Sequence, residues 1–346
     1  MTTVTDWKDE YESMQRFLAE NPGITLSPNE VSIPPEVREE FYRHFDQLRA
    51  AVVDAHYSDL RVDVDTLCRH FVEIEKEVME ILGLESISMP IDLHTFLHSP
   101  REGLLRMIYN RVFDLLQGKT TPDLFEQQCL HDLQVSSADF YSLGYEWWAG
   151  LSLIKLLDPD QAFGVDFDED FKPFLTELKG ISFGRQAHHP TIRIPEFVLH
   201  SRKLGRLVAV KMAVAREIET YAERFKPPVR PKKRTGDTSF ALESRVMFLY
   251  FVSSPDAVPI VAETYDNILN SPDLMVECIT AEHLRDPEAV EQVRQRMEAM
   301  DPKIGLSLIV LNPEEEMPLE VVPEGIHPIA AGLDQSKLQE VISSLA

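Results

Sequence analysis

The feature that most limits how this chain can fold is the strip Lys226-Pro227-Pro228-Val229-Arg230-Pro231-Lys232-Lys233-Arg234-Thr235-Gly236-Asp237. Its prolines remove backbone donors and favour extended backbone, so neither a helix nor an inner strand runs through it. The charge changes sign there as well. Residues 1–225 carry 23 basic and 38 acidic side chains, Lys226 to Arg234 carry five basic residues and no acid, and residues 243–346 carry 6 basic and 19 acidic. A linker between two acidic bodies is therefore expected at 226–242. The length of 346 residues agrees with two domains of about 100–200 residues each.

The stretch before the strip reads as helices. Val64, Leu67, Phe71, Ile74, Val78 and Ile81 recur at alternating steps of three and four, which places them on one helical stripe. Asp63 or Asp65 is suited to cap its start and Gly83 to end it. Val37, Phe41, Leu48 and Val52 form a second stripe after Pro34-Pro35, and Leu104, Ile108, Val112 and Leu115 a third. Residues 139–157 are apolar on more than one face and are expected in the core. A last helix is predicted from about Arg202 to Phe225, with Leu204, Leu207, Val208, Ile218, Tyr221 and Phe225 inward. Residues 180–196 read as loop. Residues 1–225 are thus expected to form an all-α domain.

Beyond the strip the period changes. Val246 to Val252 is a continuous apolar run, the pattern of a strand buried on both faces. Ser254-Pro255-Asp256 then reads as a helix start, followed by Val258, Val261, Tyr265 and Ile268 on one face. Strands are expected at Leu274–Ile279 and Ile304–Leu311, with a helix opened by Asp286-Pro287-Glu288 between them. Short extended pieces follow near Leu319–Val322 and Ile329–Ala331, and Asp334 caps a final helix. The order is β-α-β-α-β-β-α, in which strand-helix-strand units return to one sheet by right-handed crossovers.

That order, with Tyr250-Phe251-Val252, Ser254-Pro255-Asp256-Ala257-Val258, Asn267-Ile268-Leu269 and Asp286-Pro287, resembles thioredoxin-like domains, and among them the KaiB-like group. The resemblance spans residues 245–346, within a domain expected at 243–346. It implies an α/β thioredoxin-like fold and a protein-binding role, and it transfers no functional residue. Ser254-Pro255-Asp256-Ala257 stands where thioredoxin oxidoreductases carry CxxC, so the resemblance implies a redox-inactive domain. The proline-threonine pair expected before the third strand is absent, since Pro302 is followed by Lys303.

Candidate chemistry is sparse. His94 and His98 stand four apart, a spacing that puts two imidazoles on one helix face where they suit a divalent metal. Thr95 occupies the place of the HExxH glutamate. Asp158 to Glu169 has acids at several calcium-loop positions, yet Phe163 takes the place of the turn glycine, so an acidic loop capping the next helix is expected instead. His188-His189-Pro190-Thr191-Ile192-Arg193 groups histidines and an arginine fit for anion binding or acid–base work. The three cysteines, Cys68, Cys129 and Cys278, form no CxxC pair and read as buried free thiols.

Pro228, Arg230, Pro231, Lys232, Lys233 and Arg234 are the partner-binding candidates, a PxxP-basic pattern readable by an aromatic groove. The net charge of −24 opposes nucleic-acid binding, and no GxGxxG or Walker A sequence is present. No apolar run approaches the ~20 residues that cross a bilayer, and the first residues lack the pattern of a secretory leader. The expectation is a cytoplasmic, non-enzymatic interaction, regulatory or scaffold protein with a protein partner and no cofactor. The alternative is a metal-dependent hydrolase or related enzyme in the helical domain, with its divalent metal at His94 and His98.

Overall fold

The computed structural model describes residues 6–28, 30–60, 62–170, 172–182, 192–212, 247–254, 257–258, 262–263, 268–311 and 322–345. The strip at 226–242 lies outside them, and so do His188 and His189. The chain divides into two compact units, Met1–Arg69 with Pro90–Gly144, and His70–Met89 with Tyr145–Ala346. No described helix is long and apolar enough to cross a membrane.

The first unit is helical. It contains α1 (Trp7–Glu20), a short hairpin β1 (Thr25–Ser27) and β2 (Glu30–Ser32), and α2 (Arg38–His56). It also holds the start of α3 (Val64–Leu82), then α4 (Ile91–His98), α5 (Pro100–Met107), α6 (Tyr109–Leu116) and the first part of α7 (Pro122–Leu156). Asp63 caps α3, its Oδ1 accepting the Thr66 N–H at 3.0 Å. The stripes fill the core as their spacing predicts. Phe41, Leu48, Leu104, Ile108 and Val112 are wholly buried. Phe41, Phe45, Tyr109 and Phe113 form one aromatic cluster, with Phe45 and Phe113 centroids 4.6 Å apart.

The second unit is built on an eight-stranded mixed sheet. Its strands are β4 (Pro159–Phe167), β5 (Pro173–Glu177), β8 (Phe197–Ser201), β9 (Arg206–Lys211), β10 (Met247–Val252), β13 (Leu274–Ile279), β14 (Gly305–Val310) and β15 (Ile326–Ile329). The order is β15-β14-β13-β10-β9-β8-β4-β5. Only β13, β14 and β15 run parallel; the remaining pairs are antiparallel. Between β13 and β14 lie α8 (Ala281–Leu284) and α9 (Pro287–Met300), and Asp286 caps α9 by accepting the Glu288 N–H at 3.0 Å. This is a β-α-β crossover of the expected kind.

Side chains alternate across a strand, so each face has its own partner layer. Val198, Ala209, Tyr250, Met275, Leu306 and Leu308 share one face and pack with Val290, Val293 and Met300 of α9. On the opposite face α7 comes so close that a Cβ on Gly150 would sit 2.9 Å from Met247 Cε. Tyr145 of α7 donates from its hydroxyl to the Gly332 carbonyl at 2.6 Å. Asp334 caps the turn leading into α10 (Gln339–Ser343), whose Val341 and Ile342 are buried.

Three expectations are corrected. The all-α reading of 1–225 ends at residue 158: β4, β5, β8 and β9 follow, and the stretch read as loop holds β6 (Gly180–Ser182), paired with β3 (Ser86–Ser88), and β7 (Ile192–Arg193). Of the helix expected from Arg202 to Phe225, residues 202–212 form the turn and second strand of the hairpin β8–β9, turning at Gly205 with φ 61°, and 213–225 lie outside the described residues. Because β9 pairs with β10, the sheet draws on both sides of the expected linker. Secondly, Ala262–Glu263 and Ile268–Leu269, expected to be helical, are the paired strands β11 and β12. Val258, Ile260, Val261 and Thr264 are β-branched, a composition that favours a strand over a helix. Thirdly, Ile81 is 40% exposed rather than inward.

Candidate functional site

Helix α4 forms where the two histidines require it. Pro90 precedes it, Ser99 breaks it with φ −150°, and Pro100 opens α5. His94 and His98 share one exposed face, and their rings stack with centroids 4.1 Å apart at 20°. His98 Nδ1 lies 3.0 Å from the His94 carbonyl. Asp92 of the same helix is paired with Arg106 at 2.7 Å, and Cys129 is fully buried. Among the described residues no group of three His, Cys, Asp or Glu side chains converges on a metal position.

The expected acidic loop is strand β4, and its acids are dispersed along it. Asp158 accepts from Arg202 Nη2 at 2.5 Å, Asp160 lies 2.7 Å from His200 Nδ1, and Asp166 accepts the Thr176 hydroxyl at 2.6 Å. Asp168 closes the β4–β5 turn by accepting the Asp170 and Lys172 N–H groups. These four aspartates each have a structural partner, Glu169 is exposed, and the acids face no common point along a strand.

The thiols are protected. Cys68 and Cys129 are buried, and desolvation pushes both up to about 12, with Asp65 and Asp132 adding negative charge beside them. A thiol held that high is protonated at neutral pH and is a poor nucleophile.

Two arrangements were missed by reading the sequence. The first is an open groove of about 580 Å³ along α3 in the second unit, lined by Val72, Glu75, Lys76, Met79, Glu80, Gly83 and Leu84. Val72 is 38% exposed and stands beside acids on a helix whose opposite stripe, Phe71, Ile74 and Val78, is buried. The only signal was Val72 and Met79 lying off the main stripe. The second is a set of ion pairs within the sheet unit. Lys211 pairs with Glu196 at 3.3 Å, and Arg296 of α9 grips Glu277 of β13 through Nε and Nη2. A lysine ending the apolar run Leu207–Val210 was the available clue.

No protein family, curated protein or solved structure matches the chain.

Proposed function

We propose that this chain is a non-enzymatic protein-interaction protein, and that the α3 groove takes a basic amphipathic helix from its partner. The groove carries the reading. It offers Val72 and Met79 as apolar surface above the buried Leu84 and Glu75, flanked by Glu80, which pairs with Lys76 at 3.7 Å. An amphipathic helix laid on such a floor buries apolar surface, and a net charge of −24 draws basic partners toward the chain. The thioredoxin-like, KaiB-like character of residues 243–346 belongs to the same proposal. The parallel β13–β14 crossover speaks for it, while the β11–β12 pairing is where the chain departs. A cytoplasmic setting is proposed with it, in keeping with three free thiols.

The test is fluorescence anisotropy with a labelled amphipathic peptide of leucine and lysine at helical spacing. Saturable binding that weakens with salt is expected, and Met79→Glu or Val72→Asp should weaken it about tenfold. Both variants make the chain more acidic, so pure charge attraction would strengthen binding instead. Unchanged or stronger binding in the two variants would overturn the reading. The second reading, a metal-dependent hydrolase, is favoured only by the stacked His94 and His98.

A further inference from the structure

We propose that His94 and His98 form a surface site for a borderline divalent transition metal such as zinc, copper or nickel. This inference is independent of the α3 groove. The two residues stand one helical turn apart, where side chains are neighbours, and both are exposed to solvent. Their rings already stack at 4.1 Å. Two imidazole nitrogens on one zinc at about 2.0–2.1 Å lie about 3 Å from each other, so the rings tilt out of their parallel stack to aim both in-plane lone pairs at one ion.

The protonation pattern is set by the backbone. A carbonyl only accepts, so the 3.0 Å contact to the His94 oxygen makes His98 Nδ1 the N–H donor, and Nε2 carries the lone pair that coordinates. A coordinate bond at this exposed edge replaces any hydrogen bond the nitrogen makes. The helix is bracketed by Pro90 and Pro100 and has Leu93, Phe96 and Leu97 buried beneath it. The two backbone anchors are therefore held at fixed separation before the metal arrives. Two imidazoles select zinc, copper or nickel over magnesium or calcium, which prefer oxygen ligands. Asp92 is engaged by Arg106, so water fills the remaining positions.

The experiment is titration calorimetry of Zn²⁺ into the full chain, with Mg²⁺ as the contrasting ion. One zinc per chain is expected, with no Mg²⁺ heat. His94→Ala and His98→Ala should each weaken zinc binding at least about tenfold, while His131→Ala, an exposed histidine of the same unit, leaves it unchanged. Circular dichroism of each variant checks that the helices persist. Zinc should also raise the melting temperature of the native chain and not of the double variant. Zinc binding retained in the double variant, or absent from the native chain, would overturn the proposal.

Discussion

Lys211 Nζ lies 3.3 Å from Glu196 Oε1, and neither side chain reaches water. The other carboxylate oxygen of Glu196 accepts the Met212 N–H at 2.6 Å, which ties the end of β9 to the residue before β8. Removing one partner strands a charge in low dielectric, whereas replacing both removes the problem. Lys211→Met is therefore expected to cost about 3–5 kcal/mol. Adding Glu196→Gln, which keeps an acceptor for Met212, should return more than half of that loss. Urea unfolding of the two variants checks this, and a double variant no more stable than the single would refute it.

Helices α4 and α5 touch at Gly103. A Cβ there would stand 2.7 Å from Phe96 Cα, a backbone atom that cannot step aside. Gly144 of α7 is also tight, at 2.6 Å from Leu97 Cδ2, but that neighbour is the mobile end of a side chain. Gly103→Ala is expected to lose about 1–3 kcal/mol, in the range of overpacked cores, and Gly144→Ala clearly less. Thermal melts of both variants should rank them in that order.

Two aspartates adopt left-handed backbone, Asp301 with φ 46° and Asp158 with φ 50°. Asp301 ends α9 as its C-cap, with its N–H bonded to the Met297 carbonyl. Glycine meets that geometry without strain, so Asp301→Gly should stabilise by about 0.5–1 kcal/mol. Asp158→Gly relieves the same backbone strain but forfeits the Arg202 contact, so its gain should be smaller or absent. Chemical denaturation of the pair is the measurement.

The high thiol values of Cys68 and Cys129 give stability a pH limit on the alkaline side. Below the ordinary thiol value of 9.0 both states hold the proton and the contribution is complete. As pH rises from 9.0 toward about 12 the unfolded chain ionises first, and stability is lost across that window. The alkaline limb of a stability–pH curve should flatten in the Cys68→Ala, Cys129→Ala double variant. In the native chain both thiols should resist a disulfide reagent at pH 8 until denaturant is added.

What could be read in advance depended on how many faces an element buries. Helix α3 has one buried stripe, and Val64, Leu67, Phe71, Ile74 and Val78 announced it with the correct period. Asp63, Asp286 and Asp334 announced their helix starts because an oxygen two or three residues before a free N–H is a local device. Strand β9 lies inside the sheet, and Val208, Ala209 and Val210 are buried on both faces. A short apolar run of that kind has no period, and Leu204, Leu207 and Val208 fit a helical spacing by coincidence. At the candidate sites the spacing of His94 and His98 was legible, and their stacking follows from it. The α3 groove was not, because its floor depends on which residues the fold leaves uncovered.

The register of the last strand has a consequence for how the sheet meets other chains. Leu306 donates to the Gly325 carbonyl, and the parallel pairing then turns the N–H groups of His327 and Ile329 toward β14. Position 328 points the other way, to the margin that no described strand covers, and there the residue is Pro328, with no hydrogen to offer. Strand β5, at the opposite margin, begins with Pro173. A stray strand seeking to extend the sheet past β15 meets a gap in the ladder. That gap protects an acidic, strand-rich chain from stacking edge to edge into fibrils when it is crowded with its own copies.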